Sequence, residues 1–442
     1  MKIHLPARPH KTKNFSSVFY APGKNDVERK RFLPKERGKY PVEKNEIRVT
    51  IITYLLPDSR PAKSEERTFM IYLDYAANTP ACEEALRTFC DVTREYIANP
   101  NSPHPLGLAA KERLDRATEE IAAILHVKAE EIIYTSGASE SNNLAIKGAA
   151  GQYQAYGKHV ITTWLEHSSV NGAMAALQNR GFEIEYVDID ENGLVDLEHL
   201  KELLRDDTIL LSVCYVDSEI GIRQQVGQIA EILSGYPRCL FHVDATQAAG
   251  KIPLEIENVD LVTFAPHKFY GLNGCGVLVK KENVLLEPQI HGGTSTTPFR
   301  SGTPALSLIA STAQALQTAV KSREERYETV SGMNRQLRDA FKKYPKVRVN
   351  STKESVPFIL NISIAGAKAE QFQSALAGRG ICLSTKSACC AANTPSRPVY
   401  ALTKDRRAAL STLRISLSHL TTQEENGAFL KAFDECYRQF VK

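Results

Sequence analysis

From about residue 83 the apolar positions of the chain follow two alternating periods. Leu86, Phe89 and Val92 recur at helical spacing, as do Leu114, Ala117, Ile121, Ile124 and Leu125, the pattern of helices with one buried face. Short apolar runs then alternate with helical stretches: "EIIYT", "HVITT", "FEIEYV", "TILLSVCYV", "CLFHVD", "LVTFA" and "CGVLVK". Strands alternating with helices predict a mostly parallel sheet covered on both faces, because a parallel strand returns through a crossover helix. Beyond residue 305 the texture changes. The stretch "ALSLIASTAQALQTAVKSREERYETVSGMNRQLRDAFKKY" predicts a long helical segment. Strands near 346–364 and 381–384 and then more helices follow, a second and smaller α+β domain.

The first 69 residues break this rhythm. "KNDVERKRFLPKERGKYPVEKNE" is charged and interrupted by proline, with one strand-like run, "IRVTIITYLL". This segment holds 16 Lys and Arg against 8 Asp and Glu, so the chain's net +4 leaves the remaining residues at −4. The basic excess therefore sits in the leader, and a basic body that binds DNA directly is not supported. Residues 1–24 carry basic side chains and no acid, as a mitochondrial presequence does, but acids appear from Asp26 onward. Met70 immediately precedes the first well-patterned segment, "IYLDYAANTP". The expectation is a poorly ordered or dispensable leader, with mitochondrial targeting as the alternative to a cytoplasmic protein. No apolar run approaches the roughly 18 residues of a membrane-spanning helix. The nine cysteines are scattered and show no CxxC spacing, so neither a zinc site nor a disulfide framework is expected and a reducing compartment fits best.

In open α/β sheets ligands gather at the carboxyl ends of strands, near helix N-termini, so the residues after each apolar run carry the information. "SGASESNN" (Ser136 to Asn143) follows "EIIYT" and offers backbone N–H groups at a helix start, suited to a phosphate; an ordinary Ser- and Asn-rich N-cap reads the same way. It lacks GxGxxG and Walker spacing, which counts against dinucleotides and nucleoside triphosphates. "HVITT" leads into "WLEHSSV" and His167, a position where a lone histidine is more often structural. "CLFHV" leads into "DATQAAGK", with Asp244 and Gln247. An aspartate after four apolar residues is costly to bury unless a cation or donor satisfies it. "LVTFA" leads into His267 and Lys268. An acid wanting a cation, an amine at the same rim and a donor-rich helix start together suit pyridoxal phosphate (PLP). Its ring nitrogen takes an aspartate and its aldehyde an imine-forming lysine.

The motifs "YLDYAANTP", "ANPNSPH", "TSGASESNN", "LEHSSV", "DSEIG", "HVDATQAAGK", "PHKFYG", "IHGG", "RSGTP", "SACC" and "LRISLS" occur in the order found in cysteine desulfurases. Residues 70–442 thus resemble that family of fold-type I, class V aminotransferase-like enzymes. The resemblance implies a large domain, 70–322, on a mostly parallel seven-stranded sheet covered by helices. It also implies a small α+β domain, 323–442, against which residues 70–83 pack. It implies that Lys268 captures the cofactor and moves the substrate α-proton, that Asp244 faces the ring nitrogen and that Gln247 donates to the ring hydroxyl. His167 would stack on the ring and assist proton transfer, while Ala138, Ser139 and His267 bind the phosphate. Thr303 would reach the phosphate of a second subunit, making a homodimer, and Arg414 would clamp the substrate carboxylate, where a planar bidentate donor is needed. Cys389 matches the nucleophile that takes sulfur from L-cysteine, leaving alanine and a persulfide, on a loop resembling the branch with a long mobile cysteine loop. Sulfur acceptors such as an iron–sulfur scaffold, or tRNA thiolation, are the implied destinations.

Four positions depart from the family pattern. Lys386 replaces a common glycine and, three residues before Cys389, could lower its thiol pKa. Ser218 stands for an asparagine that contacts the ring hydroxyl, Ala265 for a phosphate-binding serine, and Ser418 for a glycine. The alternatives are a PLP enzyme acting on selenocysteine or another amino acid, a non-catalytic homologue serving as a binding subunit, and a nucleotide-binding α/β protein that would leave Lys268 unexplained. Cys390 is the competing thiol.

Overall fold

The computed structural model describes residues 70–294, 296–387 and 394–441; the leader, Cys389 and Cys390 lie outside the described residues. The short strand β1 (Ile71–Tyr72) opens this part of the chain. The main sheet follows, from β2 (Ile132–Thr135), β3 (His159–Thr163), β4 (Glu183–Val187), β5 (Thr208–Cys214), β6 (Leu240–Asp244), β7 (Leu261–Phe264) and β8 (Gly276–Lys280). These seven strands are the seven apolar runs, in the spatial order β2-β8-β7-β6-β5-β3-β4.

Strands β3, β5, β6, β7 and β8 are buried along their whole length, as strands covered on both faces must be. At the edge, β4 is only partly buried and carries Glu183 and Glu185, charges that discourage pairing with another chain. All neighbouring pairs are parallel except those made by β8, which runs antiparallel to both β7 and β2. The connection 265–275 is too short for a crossover helix, so β8 folds back as a hairpin partner. Because β6 and β7 are parallel, with Asp244 opposite Thr263, Asp244 and the turn bearing Lys268 leave the sheet at the same rim.

The C-terminal part adds β9 (Val347–Val349), β10 (Ile359–Ile364), β11 (Ile381–Cys382) and β12 (Thr412–Ser416). Strands β12, β10 and β9 form a three-stranded antiparallel sheet. Here β12 corrects the expectation of only helices after residue 384. Its run is short, and antiparallel pairing with β10 rather than local pattern makes it a strand. Strand β1 pairs in parallel with β11, Ile71 opposite Ile381, which ties residues 71–72 to the C-terminal part. The long helical segment is two helices, Leu306–Lys321 and Arg323–Phe341, parted at Ser322, whose Oγ donates back to the Thr318 carbonyl at 2.8 Å. The helix Glu83–Glu95 buries Ala85 and Val92 rather than Leu86, which is exposed. It packs on the helix Leu306–Lys321. No helix of the described residues is long and apolar enough to cross a membrane.

Candidate active site

The carboxyl ends of β2, β3, β5, β6 and β7 open onto one cavity of about 390 Å³. Its lining contains Ala138, Ser139, His167, Ser218, Asp244, Gln247, His267, Lys268 and Arg414, nine of the candidates from the sequence. Ser387, two residues before Cys389, lines it too. Thr303 does not; it lies in a neighbouring cavity of about 710 Å³ that shares Ser136 with the first.

Asp244, the last residue of β6, is 6% exposed. Its Oδ1 accepts the Thr246 N–H at 3.0 Å and its Oδ2 accepts from Asn142 Nδ2 at 2.8 Å. The same Asn142 amide donates its other hydrogen to Ser169 Oγ at 2.9 Å. Ser169 Oγ lies 2.8 Å from His167 Nδ1, which also accepts the Ser169 N–H at 3.2 Å. With Nδ1 committed as an acceptor, the neutral ring carries its proton on Nε2. Burial holds His167 below the usual imidazole range, against the pull of Asp244 and with the help of Lys268, so the neutral form is the resting one. Asn142 therefore couples the carboxylate to the imidazole. Nothing local in "TSGASESNN" marks a role for Asn142, since its partners come from β6 and from the start of the helix Ser168–Gln178.

Lys268 closes the short 3-10 turn Pro266–Lys268 after β7. Its Nζ donates to the carbonyls of Ala76 at 2.9 Å and Ala77 at 2.5 Å. Gln247 Nε2 donates to the same Ala76 carbonyl at 2.8 Å, while its Oε1 accepts from Lys251 Nζ at 2.9 Å. Lys251 is buried, and burial, aided by the nearby Lys268 and Arg414 charges, pulls its pKa down to about 7 from 10.5. The sign of its effect on stability follows. Between pH 7 and 10.5 the unfolded chain binds this proton and the folded chain does not, so stability rises with pH across that window. Lys251→Met is expected to flatten that part of the thermal-stability profile and to stabilise the protein most at pH 7 and below. An equal rise in the variant, followed by scanning calorimetry from pH 6 to 10, would show that another group is responsible.

At the other end of the cavity the helix Ala138–Tyr153 begins directly after the turn at Gly137, so its first N–H groups lack intrahelical acceptors. The turn is tight against β8. A Cβ at Gly276 would lie 2.4 Å from the Gly137 carbonyl carbon and 2.5 Å from Thr135 Oγ1, so only glycine lets the two strands pass. Glu140, in the same first turn, has Oε1 paired with Arg300 Nε at 2.9 Å and Oε2 accepting the Ser136 N–H at 2.8 Å. The ion pair with Arg300 offsets the Glu140 charge at this helix start. His267 lines this cavity with its pKa pulled down to about 4 by burial, then by Lys268 and Lys251. Ala265 is fully buried and outside the lining.

Arg414, on β12, is 2% exposed. Its Nη2 pairs with Asp74 Oδ1 at 2.7 Å and its Nη1 donates to the Ser218 carbonyl at 3.0 Å, leaving Nε buried without a partner. Asp74 also accepts from Ser384 Oγ at 2.8 Å. A buried guanidinium so held is a fixed cation facing the cavity. Nothing local in "YLDYAANTP" marks Asp74 as the partner of an arginine 340 positions away. Ser418 is accounted for: its Oγ lies 2.6 Å from Tyr270 Oη and accepts the Leu420 N–H at 3.0 Å. Lys386 is 7% exposed and its Nζ donates to Thr394.

The donor set fits PLP. The Asp244 carboxylate accepts one hydrogen bond per oxygen, which leaves a lone pair for a protonated ring nitrogen. An amine, an imidazole and a helix start with unused N–H groups share its cavity. Residues 71–429 match the family described as Aminotransferase class-V. The chain is 40% identical over 366 residues to "Cysteine desulfurase IscS" of Neisseria meningitidis serogroup C (strain 053442), covering 80% of this chain and 89% of that protein. Its fold is similar to that of a solved "NIFS-LIKE PROTEIN" (TM-score 0.79, 32% identity, covering 84% of this chain and 100% of the other). It is also similar to "SspA in complex with cysteine" (TM-score 0.69, 29% identity, covering 80% and 100%).

Proposed function

The chain belongs to the class-V aminotransferases and, among them, to the cysteine desulfurases, and on that premise we propose how its residues divide the work. The protein is a PLP-dependent enzyme that converts L-cysteine to L-alanine. When bound, PLP supplies an electron sink for the substrate's α-carbon. Asp244, with Asn142 behind it, holds a positive charge at the ring nitrogen. Lys268 Nζ anchors the cofactor and moves the α-proton. The neutral His167 ring, its proton on Nε2, covers the ring face and serves as a proton partner. Ala138, Ser139 and His267 hold the phosphate, and Gln247 and Ser218 border the ring. Arg414, oriented by Asp74, receives the substrate carboxylate.

The Cys389 thiolate then attacks the substrate sulfur. An S–S bond forms as the C–S bond breaks, the electron pair stays on the β-carbon, and that carbon takes a proton to become the methyl of alanine. The observation that carries this reading is the convergence of Asp244, Lys268 and Arg414 on one cavity with Ser387 at its wall. The alternative substrates, selenocysteine or another amino acid, find no support among relatives named for cysteine desulfuration.

The persulfide passes to an acceptor protein, with an iron–sulfur scaffold or a tRNA-thiolation partner as the candidates. The active unit is a homodimer in which Thr303 faces the second subunit's phosphate. The setting is a reducing compartment, the cytoplasm or, if the leader is a presequence, the mitochondrion. Residues 70–322 and 323–442 serve as large and small domains. The test is incubation of the PLP-loaded protein with L-cysteine, scored for alanine and, by peptide mass spectrometry, for one added sulfur on Cys389. Alanine without sulfur on Cys389 would refute the assigned nucleophile, and neither product would refute the activity.

A further inference from the structure

After β6 the chain makes a helical turn, in which the Ala249 N–H donates to the Ala245 carbonyl at 2.8 Å and the Lys251 N–H to that of Ala248 at 3.0 Å. The turn places Gln247 and Lys251 four positions apart, so that their side chains meet. Gly250 sits at φ +71°, where a Cβ would lie 2.9 Å from that of Phe269, the residue after Lys268. Lys251, 9% exposed, is outside the lining of the active cavity. It lines a second, smaller one with Tyr75, Tyr270, Arg323 and Arg326, and Ala76 borders both. Among the described residues, Gln247 Oε1 is the one hydrogen-bond partner of its Nζ, at 2.9 Å.

The Gln247 amide is thus clamped at both ends. Its Oε1 takes a hydrogen from Lys251, and its Nε2 spends one of two hydrogens on the Ala76 carbonyl, which also accepts from Lys268 Nζ. Turned end for end, the amide would set oxygen against the Ala76 oxygen and donor against the Lys251 donor. We propose that Lys251 is a positioning residue: by donating to Gln247 Oε1 it keeps Nε2 toward the active cavity, so that the second Nε2 hydrogen serves the ring hydroxyl of PLP. This rests on PLP occupying the cavity, as proposed above. An amine donates with or without its last proton, so the hold does not require Lys251 to be charged. Without the lysine, Oε1 is a buried acceptor with no partner, and the Lys268 amine, which shares the Ala76 carbonyl, is a donor on the cavity side. An amide that turns Oε1 that way presents a lone pair where the cofactor's oxygen would have met a hydrogen.

The experiment is a double-mutant cycle on the full-length protein: wild type, Lys251→Met, Gln247→Ala and the pair, at pH 7. Two quantities are read, the PLP dissociation constant by equilibrium dialysis and the absorption maximum of bound PLP, which a loss of stability alone does not shift. Lys251→Met is expected to weaken PLP binding about fivefold, the factor for one hydrogen bond, and to move the absorption maximum in the direction that Gln247→Ala moves it. Added to Gln247→Ala, it should change neither. The same substitution is expected to stabilise the fold at this pH, so weaker binding would not report unfolding. No change in Lys251→Met overturns the proposal. So does an effect that persists undiminished beside Gln247→Ala, which would make Lys251 act through its charge instead. Should Lys251→Met not fold, Lys251→Leu carries the same cycle with the same outcomes. A wild type that binds no PLP overturns the functional reading itself, whereas a PLP-binding wild type with independent effects at 247 and 251 overturns this proposal alone.

Discussion

Lys268→Ala is expected to lower the conversion of cysteine to alanine by about a thousandfold or more, since it removes both a covalent anchor and a general acid–base. The amine donates to two carbonyls, of Ala76 and Ala77, which line the same cavity. No other described amine can take its place. Lys251, the nearest candidate, is buried and committed to Gln247 Oε1. Alanine at 268 leaves a small void that a primary amine fills, so ethylamine should restore part of the rate while the melting temperature stays close to that of the wild type. A loss below about tenfold would mean that Lys268 does not carry the proton.

Cys389→Ser is expected to abolish persulfide formation and to lower alanine release by about a thousandfold. A serine hydroxyl stays protonated at neutral pH and cannot attack sulfur to give an S–S bond. Cys389 follows by two residues Ser387, a cavity-lining residue held by Glu219. Cysteine should still bind in the variant, because Arg414 and Asp74 are untouched. Sulfur appearing instead on Cys390, with alanine release maintained, would move the nucleophile by one residue. The same variant also separates desulfuration from simple PLP lyase chemistry, which needs no protein thiol.

Much of the site was legible before folding because its residues sit at strand ends, and strand ends are marked locally. An apolar run followed by a polar residue identifies Asp244, His167 and Lys268 with no knowledge of which strands are neighbours. What could not be read is who supports them. Asn142 and Asp244 are 102 positions apart, Asp74 and Arg414 are 340. Lys386 likewise has a partner that no local pattern marks: its ammonium donates to Thr394, eight residues away. Leu86 was misread for a related reason, since the helix Glu83–Glu95 buries Ala85 and Val92 in its place.

By itself the sequence determined the seven strands of the main sheet and the polar residues at their carboxyl ends, because hydrophobic period and turn chemistry are properties of a few adjacent positions; the reaction class came from the resemblance of its ordered motifs to the cysteine desulfurases. Only the tertiary structure decided that β8 runs backward, that β12 is a strand and that Glu219 binds both Ser387 and Ser396. Each of those depends on contacts between residues far apart in the chain, and a pairing of that kind leaves no trace in the pattern of either partner alone.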